Sequence, residues 1–346
     1  MPYASAAEDR SASDSLTSAV REAYLRGSTV PPRDPGCYPI PSALNVILCV
    51  TQIAVALVVL YAASHTASAT MLVATAVAFA FVMQVGFCLA HEAVHAKLQP
   101  NRDANLISGI ILFALFPGSY HFFEIAHLVH HHRNRSDAEL EDYVLPGENA
   151  WLKRACYYFL ICGLFWLLVP LTSLLVALVP KKRIAIPVPT DDAGAFRRFV
   201  QFLNEVRPNR VRRDLLAVII FWAVAVPLLH LSLYAVLVCY AAFGFSWASQ
   251  QYIYHVRTPR HAILGALDLR LVRPMEMFYL HFNYHLTHHV AVWVPWIYIP
   301  RIAPEKPSLG YLRTYLRLWL PPQRIKEAWP KQFQHSGAIP PTGATT

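Results

Sequence analysis

Residues 70–95 read TMLVATAVAFAFVMQVGFCLAHEAVH, an uncharged apolar run over 70–90 that leads straight into His91, Glu92, Ala93, Val94 and His95. A helix needs about 20 apolar residues to cross the hydrocarbon of a bilayer, so the run reads as a membrane span. If the helix continues past Ala90, His91 and His95 stand at i and i+4 and share one face. A span that ends in two such imidazoles suggests a metal site at the membrane surface.

The remaining sequence repeats that arrangement. Residues 43–63 (ALNVILCVTQIAVALVVLYAA) make a second span, joined to the first by a polar link at Ser64–Ser68. The apolar run at 105–117 is too short to cross and predicts a re-entrant or interfacial helix. Residues 155–180 and 214–250 are further apolar regions, the latter long enough for two helices turning near Pro227–Ser232. Two histidine runs lie between and after these segments: His127-Leu-Val-His130-His131, with His132 next, and His285-Leu-Thr-His288-His289. Each offers imidazoles at i, i+3 and i+4 of a helix. Imidazole suits iron, zinc and copper, and eight histidines in three clusters are too many for one ion and suit two.

Composition agrees. The chain of 346 residues is 55% hydrophobic and only 15% charged, against about 25% charged in soluble proteins. Sixteen histidines against 21 acidic residues is a further pointer to metal. The net charge of +9 comes from residues that flank apolar stretches, which fits a membrane surface and not nucleic acid. All 30 lysines and arginines fall in 1–42, 91–104, 133–154, 181–213 and 251–346. Cationic loops favour the cytoplasmic side, so these five segments are expected there, and 155–180 is expected to dip in and return, bending at Pro170. The six cysteines form no CxxC pair and read as small apolar residues. No signal peptide is expected, since the first 40 residues carry Glu8, Asp9 and Asp14 and no apolar core.

The succession HEAVH, HLVHH, HLTHH, with these membrane segments between, resembles the membrane-bound fatty acid desaturase and hydroxylase superfamily over roughly residues 43–300. The resemblance implies an all-α, multi-pass transmembrane protein with a non-haem diiron centre at the cytosolic face, two iron ions as cofactor and O₂ as co-substrate. It implies His91, His95, His127, His130, His131, His285, His288 and His289 as ligands. In relatives of the acyl-CoA desaturase type a further histidine lies about thirty residues before the third box, with an amide four residues ahead of it. His255 and Gln251 hold those positions here, making His255 a ninth ligand and Gln251 its polar neighbour. If a spacing variant of box two applied, His132 would replace His131.

Metal-bound histidines usually donate their other N–H to a carboxylate or carbonyl. Asp137 is the first candidate for this, with Glu139, Glu141, Glu92 and Asn283 also near the boxes. The expected organisation is a cytosolic arm at 1–42, a membrane-embedded diiron catalytic domain at 43–300 and a cytosolic C-terminal segment at 301–346. The expected reaction is O₂-dependent oxidation of an unactivated C–H bond in a fatty acyl or lipid-like chain. The QxxxH feature and the length favour desaturation, with hydroxylation on the same centre as the alternative. Aromatic residues near the boxes, among them Phe122, Phe123, Tyr254 and Phe278, are candidates to line a substrate tunnel. With no haem, flavin or iron–sulfur module in the chain, the electrons are expected from a separate ferredoxin, rubredoxin or cytochrome with its reductase.

HEAVH also matches HExxH of zinc proteases. That reading lacks a further carboxylate ligand of LDG type and leaves both HxxHH runs without a purpose. A metal transporter would hold its ligands nearer the membrane midplane.

Overall fold

The computed structural model describes residues 33–136, 139–179 and 206–325. They form helices and one two-residue parallel ladder, in which β1 (Tyr143–Val144) pairs with β2 (Gln323–Arg324). Helices α1 (Ser42–Ser64) and α2 (Ala69–Val94) are an antiparallel pair of spans, and the side chain of Ser68 caps α2 by accepting from the amide of Met71. Helix α3 (Arg102–Ala114) has 13 residues, about 20 Å of rise, too little to cross. It starts on an Asn101 cap and returns the chain to α4 (Tyr120–Arg133), which carries box two.

Helices α5 (Ala150–Phe159) and α6 (Phe165–Leu178) follow, then α7 (Pro208–Leu228) and α8 (Leu233–Ile253), joined by a short turn. Among the described residues, four segments are long and apolar enough to span a bilayer: Ser42–Ser64, Ala69–Val94, Ala150–Leu178 and Leu233–Ile253. Many of their large apolar side chains face outward, for example Val50, Val58 and Leu233. In water such a surface would be an aggregation liability; in a bilayer it is the lipid-facing wall. The protein is therefore an integral membrane protein.

The third of these segments corrects an expectation. Its break lies at Gly163, with φ +118° and ψ −14°, while Pro170 sits inside a continuous α6. Gly163 is required twice over. Its φ is one that residues with a Cβ rarely adopt, and an added Cβ would lie 2.9 Å from the backbone nitrogen of Phe245 in α8. Both ends of the segment are tied to the end of the helix pack that carries the histidines. Tyr157 and Tyr158 donate to the carbonyls of Leu318 and Trp319, and Arg212, in the first turns of α7, donates to those of Ala177 and Val179.

The core beneath the histidines is aromatic. Phe87 of α2 packs edge-on to Phe123 at 5.7 Å, Trp247 at 5.6 Å and Phe282 at 5.6 Å, so three separate chain segments meet on one ring. Edge-to-face contacts at such distances contribute about 0.5–1.5 kcal/mol each beyond burial. They fix the ends of α2, α4 and α8 against the loop that leads to box three. That loop ends in a short helix, α9 (His285–Val290), and the chain after it packs back through α10 (Tyr311–Leu318).

Candidate metal centre

Nine imidazoles converge from these elements in two groups. His91, His95, His127, His131 and His288 form one, and His130, His255, His285 and His289 the other, with the ligand atoms of each group within 4.8 Å of one another. The boxes are shared between the groups by a simple rule. In HxxHH the first and last histidines stand at i and i+4 on one helical face, and the one at i+3 is rotated off it. His127 and His131 thus enter the first group and His130 the second, while His285 and His289 enter the second and His288 the first. The α2 helix ends at Val94, with His95 as its C-terminal cap, and both box-one rings join the first group.

The distances suit a shared cation. Nε2 atoms are separated by 3.0 Å in His95–His127, 2.9 Å in His127–His131, 3.1 Å in His255–His285 and 3.3 Å in both His131–His288 and His285–His289. Imidazole nitrogen binds zinc at about 2.0–2.1 Å, so two neighbouring ligands on such an ion stand about 3 Å apart. Tautomers agree. The Nδ1 of His255 lies 2.8 Å from the carbonyl oxygen of Gly265, an acceptor only, so Nδ1 donates and the neutral ring presents a lone pair at Nε2. That lone pair faces the Nε2 of His285. Nε2 of His91 is buried without a hydrogen-bond partner. Unpaired buried nitrogens facing one another are costly unless a cation lies between them.

Burial first, then the neighbouring imidazoles, hold His95, His127, His131, His285 and His289 well below the usual histidine range; His288 is pushed down to about 3. His255 is lowered by burial and by His130. All are neutral at pH 7, the form that binds metal.

The supporting contacts differ in part from the sequence expectations. Asp137 lies outside the described residues, as does the side chain of His132. Glu139 meets the Nδ1 of His130 at 2.6 Å. Glu92 accepts from the backbone amide of Trp296 at 3.0 Å and bonds no histidine among the described residues. Asn283 donates to the carbonyl of Leu269 and to Glu276, bracing the loop before box three and not a ring. The Nε2 of Gln251 is buried without a partner among the described residues. Of the aromatics, Phe123 stacks on His127 and Tyr254 lies against His285, whereas Phe278 is exposed.

Two supports went unseen in the sequence. The Gly265 carbonyl also accepts from Asn134 and from Thr258, so it orients His255 while joining α4 to the loop at 258–265. Asp268 accepts from the amide and the hydroxyl of Thr287, at 3.0 and 2.6 Å, and so fixes the start of α9. The available signal was an aspartate and a glycine in an otherwise apolar stretch, AILGALDL.

A multi-pass helical protein that gathers nine imidazoles into two groups at the ends of its spans is a membrane metalloprotein. The sequence matches the fatty acid desaturase family over residues 67–326, and the chain belongs to that family of diiron oxidoreductases. No curated protein matches the sequence.

Proposed function

We propose that the two histidine groups hold a pair of iron ions at the cytoplasmic face, and that the enzyme uses O₂ to desaturate a fatty acyl or lipid-like chain. The nine histidines named above are the proposed ligands. The partition of their nitrogens into groups of five and four, with spacings that suit two adjacent ions, carries the reading. Bound there, the irons supply the oxidising power of O₂ for abstraction of hydrogen from an unactivated C–H bond.

The chain's own residues prepare that chemistry. Neutral, buried imidazoles offer nitrogen ligands without competing protons. Glu139 and the Gly265 carbonyl hold the rings of His130 and His255 in register. Phe87, Phe123 and Phe282 close the membrane side of the site with apolar rings. The residues proposed for the cytosol are the arm at 1–42, the C-terminal segment from 301 and every lysine- or arginine-bearing loop.

Metal analysis of the purified full-length protein tests the centre: two irons per chain are expected, and activity with one zinc and no iron would refute it. Mass spectrometry of lipids and acyl thioesters from cells with and without the protein then reads the product. A new double bond is expected; a new hydroxyl would assign the enzyme to hydroxylation.

A further inference from the structure

One face of α4 borders a cavity of about 1060 Å³. The cavity walls include, from one end of the helix to the other, Tyr120, His121, Glu124, Leu128 and His131, with His95 beside His131. Tyr120 and His121 are neighbours, and from His121 to His131 the positions are spaced three to four residues apart, so they form a single stripe. His95 and His131 belong to the first histidine group, so the cavity opens onto the proposed metal centre. Glu124 lies seven residues before His131, about 10 Å along the helix.

The stripe carries a carboxylate, Glu124, and a second one, Asp214, stands against it from α7. The carboxylate of Asp214, 1% exposed, takes hydrogen bonds from Ser119 Oγ at 2.6 Å and from the His121 amide at 2.8 Å, and it meets His121 Nδ1 at 2.9 Å. Nδ1 therefore donates, and Nε2 of His121, with no hydrogen-bond partner among the described residues, is left to the cavity. Glu124 is half-buried and forms no hydrogen bond or ion pair among the described residues. A plain hydrocarbon chain laid along this wall would strip water from a carboxylate and an imidazole nitrogen and return nothing, which costs free energy. The cations Lys97, Arg102, Arg210 and Arg213 also border the cavity, but none lies within ion-pair distance of Glu124.

We propose that this cavity seats the substrate and that Glu124, with His121 beside it, selects a chain bearing a hydroxyl or amine group about 10 Å from the C–H bond that is oxidised. Glu124 is thus a specificity-determining residue; the placement relative to the oxidised bond rests on the metal centre proposed above, whereas the selectivity does not. The test uses three amphiphiles of equal chain length, dodecylamine, dodecanol and dodecanoate, with the full-length protein in nanodiscs and binding read by titration calorimetry. Hydrogen bonds to a charged partner are worth about tenfold or more in affinity. The wild type should bind dodecylamine and dodecanol at least about tenfold tighter than dodecanoate. Glu124→Gln should erase most of the amine's advantage and keep that of the alcohol, while Glu124→Leu should erase both, each at unchanged iron content.

Dodecanoate binding tightest in the wild type would overturn the proposal, because the bordering cations and not Glu124 would then set selectivity; this comparison needs no variant to fold. An amine preference unchanged in Glu124→Gln would overturn it too. A preference for donors in protein that is active with one zinc and no iron would support the cavity's selectivity while refuting the metal reading.

Discussion

The ring of His130 shows how much of a metal site depends on residues that touch no metal. Its Nδ1 lies 2.6 Å from Glu139, a contact that fixes the tautomer and sets the ring angle. Removing such a partner typically costs about 10–100-fold in metal affinity. Glu139→Ala should therefore lose iron to a chelator at a concentration about 10–100-fold lower than wild type does, and iron retention at the wild-type level would show that the pair has no such role. Asp268 gives a second prediction, through acidity. Burial pushes its carboxyl up to about 6, against the hydrogen bonds from Thr287 and the Leu286 amide. The folded state thus holds this proton more tightly than the unfolded chain, so the contribution to stability is complete below about pH 4 and is lost as pH rises through about 6. Asp268→Asn mimics the protonated form at every pH. The melting temperature of the wild type relative to that variant should fall between pH 4 and 6 and level off above; a constant difference would mean that Asp268 titrates normally.

At the scale of elements, the three boxes were legible because helical geometry is local. Spacings of three and four residues say which imidazoles share a face, and each span's apolar length says where its helix ends. The division of each HxxHH run between two groups follows from the same geometry, but it becomes visible only when α2, α4 and α9 are packed together. The loop at 258–268 was not legible in that way. Gly265 and Asp268 act through contacts with Asn134 and Thr287, far away in sequence, and no local periodicity marks such pairs. Pro170 misled for a related reason: a proline in an apolar helix is tolerated when neighbours accommodate it, and the actual break sits where α8 leaves no room for a side chain. Two outcomes follow from the partition. His127→Ala and His130→Ala should deplete different irons, giving distinct Mössbauer spectra in the residual metal; identical spectra would argue against two separate groups. In Gly265→Ala a Cβ would stand 2.4 Å from Arg135 Cγ and from the His261 carbonyl oxygen, displacing the carbonyl that orients His255. It should reproduce the metal loss of His255→Ala, and full iron content would show that the loop yields without moving the ring.

The whole molecule must bring together O₂, a chain-like substrate and electrons, and its architecture assigns those tasks to different surfaces. The lipid-facing walls of α1, α2 and α8 are apolar, the histidine groups lie at the ends of the spans, and the basic loops surround them. Reducing O₂ to water takes four electrons, and desaturation draws two of them from the substrate, so two must come from outside. None of the six cysteines forms a disulfide among the described residues, and no four of them are brought together as an iron–sulfur cluster would require. We propose that a separate carrier supplies these electrons by docking, and acidic carriers are drawn to cationic surfaces. Arg257 is committed, its guanidinium donating to the carbonyl of Pro321 at 2.7 Å, whereas Arg270 and Arg273 are exposed on the loop that leads to box three. These two are the proposed landing point. Contacts between exposed charges act mainly on the association rate and are screened by salt over about 8–10 Å. Purified enzyme with O₂ and substrate alone should give no sustained turnover; adding a reductase and carrier should restore it, at a rate that falls as ionic strength rises. The double variant Arg270→Glu with Arg273→Glu should slow turnover by about tenfold or more at low salt, with iron content unchanged and little difference from wild type at high salt. A wild-type rate at low salt would move the docking face elsewhere, and sustained turnover without any external reductant would rule out an O₂-consuming desaturase altogether.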